Sequence, residues 1–200
     1  MSFLILMRHG RSLRNDGLPS CERDNVLTAQ GAAKVLKESA ILSRYDVRHV
    51  VSSTVLRAQL TALLAVGAIG RGMPVAQIEG IEEIRPVDPD EQAPHETDEE
   101  MSVWKRDIDI QPGWALETQR DVYVRTVRAV TDRVLPLLAS GSVLLVSHYF
   151  PIRAIRAHID HGRAEAMPGY RPANAEPVVY KRDHVFRAFG STGDPAATAA

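Results

Sequence analysis

The sequence is poor in cysteine and in long apolar stretches. Cys21 is its single cysteine, so no disulfide can form within the chain, which favours a reducing compartment. The apolar opening from Phe3 to Met7 is too short for the core of a signal peptide, and no stretch approaches the length of a transmembrane helix. We therefore expect a soluble, cytoplasmic protein with no membrane partner.

Positive charge is not in excess. The 200 residues contain 24 lysines and arginines against 25 acidic residues, which gives a formal net charge of -1. Such a chain has no overall positive field to gather nucleic acid or an anionic membrane surface. We therefore expect no nucleic-acid partner.

Several common catalytic motifs are absent. The sequence has no GxxxxGK(S/T) loop, no GxGxxG after a strand, no HExxH and no GxSxG, and no arginine stands six positions after Cys21. These absences exclude the usual nucleotide-binding, zinc-protease, serine-hydrolase and cysteine-phosphatase sites. His158 and His161 have no nearby carboxylate partner, so we interpret them as a surface pair and predict no metal and no cofactor.

Short apolar runs alternate with longer helical patterns along the chain. The predicted strands are 2–7, 47–51, 75–78 and 142–146, and the predicted helices are 28–43, 55–68, 118–138 and a segment after Pro151. This alternation predicts an α/β three-layer sandwich, with a mainly parallel central sheet flanked by helices. Residues 178–181 and 185–188 are predicted to form a closing hairpin at one edge of the sheet.

One segment departs from this pattern. Residues 88–100 contain seven acids and two prolines but no lysine or arginine, which indicates a solvated excursion. We predict a lid or substrate-facing insertion at about 85–114, with a plain surface loop as the alternative. The domain organisation is then one catalytic domain over 1–190 followed by a disordered tail at 191–200.

Two histidines directly follow predicted strands. Arg8-His9-Gly10 comes after the first strand, Ser147-His148 comes after the fourth, and Arg57 lies in the helix after the second. The carboxyl ends of parallel strands meet at one edge of a sheet, where ligands bind. Phosphoryl transfer needs a nucleophile, fixed positive charge and an acid for the leaving group. A neutral imidazole, two arginines and a second histidine supply the first two without a metal.

These elements resemble the histidine phosphatase superfamily, the phosphoglycerate mutase-like and acid phosphatase-like RHG proteins. Its RHG(E/D)(S/T)xxN, LTxxG, SSxxxRAxxTA and SH elements are matched in order at 8–15, 27–31, 52–62 and 147–148. The resemblance implies that His9 is the phosphohistidine nucleophile and that Arg8, Arg57 and His148 form the phosphate pocket. Asn15 would help to line the same pocket.

The family's general acid is a glutamate in a pattern like LxE. Ile81-Glu82-Glu83 places Glu83 there, with Glu82 as the near alternative. Arg11 stands where the family usually has an acid. Tyr149 follows the second histidine where many members have glycine, so we expect its side chain to reshape the substrate-binding pocket unless it points away.

Three functional hypotheses follow from the resemblance. The first is a metal-independent phosphatase that hydrolyses phosphomonoesters through phospho-His9 at an acidic to neutral optimum, because Glu83 must be protonated while His9 is not. The second is a phosphoglycerate-type mutase, which would need more cations than this acid-rich excursion offers. The third is a catalytically weak relative that binds a phospho-ligand or a protein. The partner expected from the resemblance is a small-molecule phosphomonoester substrate, with a phosphoprotein as the alternative.

Overall fold

The computed structural model describes residues 1–23, 25–90 and 106–190. Its centre is a five-stranded sheet in the order β3-β2-β4-β1-β5. The strands are β1 Phe3–Arg8, β2 Val47–Ser52, β3 Val75–Gln77, β4 Ser142–Ser147 and β5 Pro177–Lys181. The first four are parallel, and β5 runs antiparallel to β1 at the edge. The carboxyl ends of β1 to β4 and the start of β5 therefore share one edge of the sheet.

Helices cover both faces of the sheet. They are α1 Ala29–Ser39, α2 Leu56–Ile69, α3 Gln119–Ala129, α4 Leu135–Ser140, α5 Tyr149–His161 and α6 Arg182–Gly190. A π-helical turn at Val130–Val134 joins α3 to α4, and short 3-10 helices lie at Arg14–Asp16, Ala40–Tyr45 and Ala164–Gly169. No helix among the described residues combines the length and the apolar character needed to cross a membrane.

Alternation along the buried strands explains the layers. In β1, Leu4 and Leu6 pack into one core with α3, α5 and α6, whereas Ile5 and Met7 pack into a second core with α2. All four side chains are fully buried. Successive side chains of a strand point to opposite faces, so an unbroken apolar run indicates burial on both faces. The predicted three-layer α/β sandwich is confirmed.

The predicted closing hairpin is wrong in its second half. Residues 177–181 form the antiparallel edge strand, but the chain then continues as α6 instead of a second strand. Val185 and Phe189 are buried and four positions apart, which is the spacing of one helix face. The apolar residues in 185–188 therefore follow the period of a helix. So short an apolar run does not by itself distinguish a helix from a strand.

The surface assignment of His158 is also wrong. The side chain is 1% exposed, and its Nδ1 lies 2.8 Å from the Tyr123 hydroxyl in a buried hydrogen bond. The ring also packs against Phe189, with ring centroids 4.3 Å apart. His158 lies on the inward face of α5 together with Ile155, whereas His161 at the end of the helix is exposed.

The base of the predicted insertion is closed by backbone hydrogen bonds. Val87 N–H donates to the Trp114 carbonyl, and Leu116 N–H donates to the Arg85 carbonyl, each at 2.8 Å. The segment thus leaves and re-enters the domain at one place. Residues 91–105, which include most of the acidic run, and the tail at 191–200 lie outside the described residues.

Candidate active site

Four of the predicted residues meet at the carboxyl edge of the sheet. Arg8 pairs in register with Ser147, and the His9 N–H donates to the Ser147 carbonyl at 2.9 Å. Adjacent parallel strands thereby bring His9 and His148 together, with ring centroids 5.2 Å apart. Arg57, in the first turn of α2, donates from Nε to His9 Nε2 at 3.3 Å.

The hydrogen bonds of His9 define its tautomer. Nδ1 lies 2.7 Å from the Gly10 carbonyl, which can only accept, so Nδ1 carries the proton. Nε2 then holds a lone pair, as its contact with Arg57 requires. Burial, with the charges of Arg57 and Arg8, lowers the pKa of His9 well below its ordinary value. His9 is therefore a neutral imidazole whose Nε2 carries the lone pair that a nucleophile needs.

Three polar nitrogens around His9 are buried without a hydrogen-bond partner among the described residues. They are Arg8 Nε, Arg57 Nη1 and His148 Nδ1. Arg8 also donates from Nη1 to the Pro172 carbonyl at 3.1 Å, which holds its side chain in place. Buried polar groups are normally paired, and guanidinium donors match the oxygens of a phosphoryl group. The site is thus built to receive an anion.

The His148 side chain is hydrogen-bonded to a serine in the loop after β2. Its Nε2 lies 2.5 Å from Ser53 Oγ, and both groups are fully buried. Burial and the charge of Arg57 lower the pKa of His148 well below its ordinary value. His148 is also the N-cap of α5, so its backbone conformation is fixed by the start of that helix. Ser53 belongs to the SS element, although the sequence assigned it no role.

Two glycines and a threonine support the loop after β1. A Cβ on Gly31 would lie 2.1 Å from the Arg11 carbonyl oxygen, and one on Gly10 would lie 2.7 Å from Val35. The loop and α1 can therefore touch only because both residues lack a side chain. Thr61 Oγ1 accepts from the Gly10 N–H at 3.0 Å and donates to the Arg57 carbonyl at 2.7 Å. The LTxxG and RAxxT elements thus have structural causes.

Asn15 joins two loops at the edge of the site. Its Oδ1 accepts from the Ser12 N–H at 3.2 Å and from Asn174 Nδ2 at 3.1 Å. Asn174 Nδ2 also donates to the His9 carbonyl at 2.9 Å. Sequence reasoning missed Asn174, which precedes β5. The antiparallel direction of β5 could have revealed Asn174, because it places the start of that strand at the edge of the sheet that holds the site.

Glu83 lies at the amino end of α5. Oε2 accepts from the Tyr149 N–H at 3.0 Å, and Oε1 accepts from the Phe150 N–H at 3.2 Å. The carboxylate therefore caps the helix that begins directly after His148, close enough for its charge to act on Arg8. Of the two candidate acids, Glu83 is thus bonded to the residue that follows the second histidine.

Glu82 faces a different set of groups. It accepts from Thr54 Oγ1 at 3.1 Å and from the Gly80 N–H at 2.8 Å, with Arg125 Nη1 at 3.7 Å. These contacts tie the loop after β3 to the start of α2 and to α3.

The Tyr149 ring packs against neighbouring side chains of α5. Its centroid lies 5.1 Å from that of Phe150 and 5.2 Å from the guanidinium carbon of buried Arg153. The ring is half-buried, and it packs against the core that contains α3, α5 and α6.

Glu22 is a further site residue that sequence reasoning missed. Its Oε1 lies 2.6 Å from Arg57 Nη2, and its Oε2 lies 3.4 Å from Arg14 Nη1. The Glu22 N–H donates to the Pro89 carbonyl at 2.9 Å, so the base of the excursion touches the loop that carries it. Glu22 stands in a polar stretch with no distinguishing pattern, and only the tertiary contact reveals it.

The described part of the chain contains no group of three histidine, cysteine, aspartate or glutamate side chains arranged to hold a metal ion. The arginines provide the positive charge at the site.

Comparison with known proteins identifies the family. Residues 4–190 match the model of the histidine phosphatase superfamily, branch 1. A 2,3-bisphosphoglycerate-dependent phosphoglycerate mutase from Xanthobacter autotrophicus is 28% identical over 188 residues, which cover 89% of this chain and 90% of the mutase.

Solved structures share the fold. A mycobacterial glucosyl-3-phosphoglycerate phosphatase has a TM-score of 0.73 at 22% identity, covering 90% of this chain and 92% of the phosphatase. A phosphoserine phosphatase from Entamoeba histolytica has a TM-score of 0.65 at 19% identity, covering 92% and 99% of the two chains. With the family match spanning nearly all of the domain, this chain belongs to the histidine phosphatase superfamily, branch 1.

Proposed function

We propose that the chain is a phosphohydrolase that cleaves phosphomonoesters through a phosphohistidine on His9. The observation that carries the proposal is the pairing of a neutral His9, whose Nε2 holds a lone pair, with buried unpartnered nitrogens on Arg8, Arg57 and His148. Nucleophile and anion-binding groups are thus held together before substrate arrives. Preorganised donors of this kind stabilise charge that develops in a transition state.

In the first step, His9 Nε2 attacks phosphorus in line with the ester oxygen. The N–P bond forms as the P–O bond breaks, and Arg8 and Arg57 neutralise the transferred phosphoryl oxygens. A protonated Glu83 gives its proton to the leaving alkoxide, which departs as the alcohol. His148, also neutral and buried, lies beside the transferred group.

In the second step, water attacks the phosphohistidine. The Glu83 carboxylate takes one water proton, the new O–P bond forms, and the P–N bond breaks to restore the His9 lone pair. Orthophosphate leaves, and Glu83 is again protonated for the next cycle. Every charge-neutralising group in this scheme is a side chain, so the proposal includes metal independence.

Hydrolysis is favoured over phosphoryl return by the charges around the site. Arg11 contacts Asp16 at 2.5 Å, and Arg85 lies 3.9 Å from Glu82. Each of these nearby cations is therefore compensated by a carboxylate. A mutase that retains a doubly phosphorylated sugar acid needs uncompensated cations at this rim.

A mutase is the second candidate, because curated relatives at 25–28% identity are named phosphoglycerate mutases over about nine tenths of this chain. The two functions share the first step and differ only in the acceptor of the phosphoryl group.

The test is orthophosphate release from a panel of small phosphomonoesters in the presence of chelator. Wild type, His9→Ala and the matched control His161→Ala, which alters an exposed histidine, are compared. We expect release by wild type and control and none above background for His9→Ala. Loss of wild-type activity in chelator, restored by a divalent ion, would contradict metal independence.

The same samples separate the alternatives. Phosphoglycerate with a bisphosphate primer is followed by phosphorus NMR, in which a mutase interconverts the isomers and a phosphatase releases orthophosphate. Binding of inorganic phosphate without turnover on any substrate would identify a binding protein and overturn the proposal.

A further inference from the structure

The three nitrogens of the Arg57 guanidinium have three different surroundings. Nε donates to His9 Nε2 at 3.3 Å, Nη2 contacts Glu22 Oε1 at 2.6 Å, and Nη1 is buried without a partner among the described residues. A phosphoryl oxygen can therefore bind Nη1 while Glu22 stays on Nη2. The Glu22 carboxylate is then a close neighbour of the bound phosphoryl group.

Glu22 is held in this position by several contacts. Its backbone N–H donates to the Pro89 carbonyl at 2.9 Å, and Arg14 reaches its second carboxylate oxygen at 3.4 Å. The adjacent Arg23 pairs with Asp90 at 3.0 Å, although both of these side chains are exposed. The Glu22 side chain is only 18% exposed, so water screens its charge poorly.

From this geometry we infer that Glu22 is a specificity-determining residue, which selects phosphomonoesters of neutral or cationic alcohols and rejects those with a second anionic group beside the scissile phosphate. The inference rests on the proposed function and deepens it by naming the substrate class. Like charges placed close together at a poorly solvated site strongly disfavour the wrong partner. Of the cations near the carboxylate, Arg57 is shared with the substrate and Arg14 is more than a third exposed, so neither cancels its charge toward the alcohol.

The test uses three esters that differ in the charge of the alcohol: phosphoglycerate with a carboxylate, glycerol phosphate with none, and phosphoethanolamine with an ammonium group. We measure kcat/KM for wild type and for Glu22→Gln, which keeps the shape of the side chain and an oxygen to accept from Arg57. Comparing ratios between proteins cancels the intrinsic reactivity of each ester. Glu22→Asp keeps the charge, and Asp132→Asn removes one charge from an exposed site.

For Glu22→Gln we expect the phosphoglycerate to glycerol phosphate ratio to rise about tenfold or more, and the phosphoethanolamine to glycerol phosphate ratio to fall about threefold. Glu22→Asp and Asp132→Asn should keep the wild-type ratios. Unchanged ratios in a Glu22→Gln protein that still hydrolyses glycerol phosphate would overturn this inference and leave the proposed function intact.

If neither wild type nor any variant hydrolyses any ester, the proposed function fails, and the affinities of the esters test the inference. By calorimetry, Glu22→Gln should then bind phosphoglycerate more tightly, and phosphoethanolamine less tightly, relative to glycerol phosphate than wild type does. Equal affinity ratios in wild type and variant would overturn it.

Discussion

The guanidinium carbon of Arg8 lies 5.0 Å from the centroid of the Tyr149 ring. Many family members have glycine at this position after the second histidine, where a side chain was expected to reshape the substrate-binding pocket. The ring stacks on Arg8, a residue of the phosphate site, and also contacts Arg153, at 5.2 Å. We infer that the Tyr149 ring supports the Arg8 side chain.

Replacing Tyr149 with leucine should therefore weaken Arg8 as a phosphate ligand. A cation–π contact is worth about 0.5 to 2 kcal/mol, so kcat/KM should fall about two- to thirtyfold. Tyr149→Phe keeps the ring and should stay within about twofold of wild type. Equal activity of the leucine and phenylalanine variants, measured on one aryl phosphate, would show that the ring does not support Arg8.

Glu83 and Glu82 are distinguished by their dependence on the leaving group. Glu83→Gln should lower kcat/KM for an alkyl phosphate about a hundredfold or more, because an alkoxide leaves poorly without a proton. The loss should be much smaller for an aryl phosphate with an acidic phenol. Glu82→Gln, whose parent side chain bonds to Thr54 and Gly80, should stay within about threefold on both.

Glu83 also accepts hydrogen bonds from the start of α5, so its replacement can act through structure. A loss that is equal for the alkyl and aryl esters would assign Glu83 to positioning of the helix alone. The free energy of unfolding, measured in urea, reports the size of that structural effect independently.

The sequence predicts the fold well and predicts which side chains meet at one edge of the sheet, for a physical reason. The strands β1 and β4 are buried on both faces, so each appears as an apolar run that ends in polar residues, whereas Arg48 and His49 interrupt the apolar run of β2. Parallel strands align their carboxyl ends, which places His9, His148 and the start of α2 at one edge before any coordinate is known.

The partners of these groups are not encoded locally. Glu22 reaches Arg57 from a loop without regular structure, and Asn174 reaches His9 from the start of the antiparallel strand. Their positions depend on how distant segments pack, and nothing in their neighbouring residues marks them. The helix α6 was missed for a related reason. Four apolar or aromatic residues in a short segment fit the period of a strand as well as that of a helix.

The close approach at Gly31 predicts a sharp difference between two glycine substitutions. Gly31→Ala would place a Cβ 2.1 Å from the Arg11 carbonyl oxygen, so the loop after β1 must shift, at a cost of about 2 kcal/mol or more. Gly67→Ala introduces a Cβ that meets no atom within 4 Å beyond its own stretch of helix, in an exposed turn of α2. It should stabilise the protein by about 0.5 to 1 kcal/mol through helix propensity.

Urea unfolding of both variants measures the two effects, and phosphatase activity provides a second readout. Gly31→Ala should lose activity because the shifted loop carries His9, whereas Gly67→Ala should keep it. A Gly31→Ala protein as stable as Gly67→Ala would show that the loop and α1 have room to separate.

Buried neutral histidines predict a loss of stability in mild acid. Burial lowers the pKa of His158 to about 4 from an ordinary 6.5, and it lowers those of His9 and His148 as well. Between about pH 6.5 and 4 the unfolded chain therefore binds protons that the folded chain refuses, so the free energy of unfolding falls as the pH falls. At about 1.4 kcal/mol per pKa unit, His158 alone accounts for about 2 kcal/mol of the decrease between about pH 7 and pH 5.

His158→Gln removes this titration while leaving the other two histidines in place. The variant should be less stable than wild type at neutral pH, because the hydrogen bond with Tyr123 and the packing against Phe189 are disturbed. Its decrease in unfolding free energy from about pH 7 to pH 5 should nevertheless be smaller than that of wild type by about 2 kcal/mol. His161→Gln, at an exposed position, is the control and should show the wild-type slope. If the unfolding free energy of His158→Gln fell with pH as steeply as that of wild type, His158 would take up its proton in the folded state near its ordinary pKa.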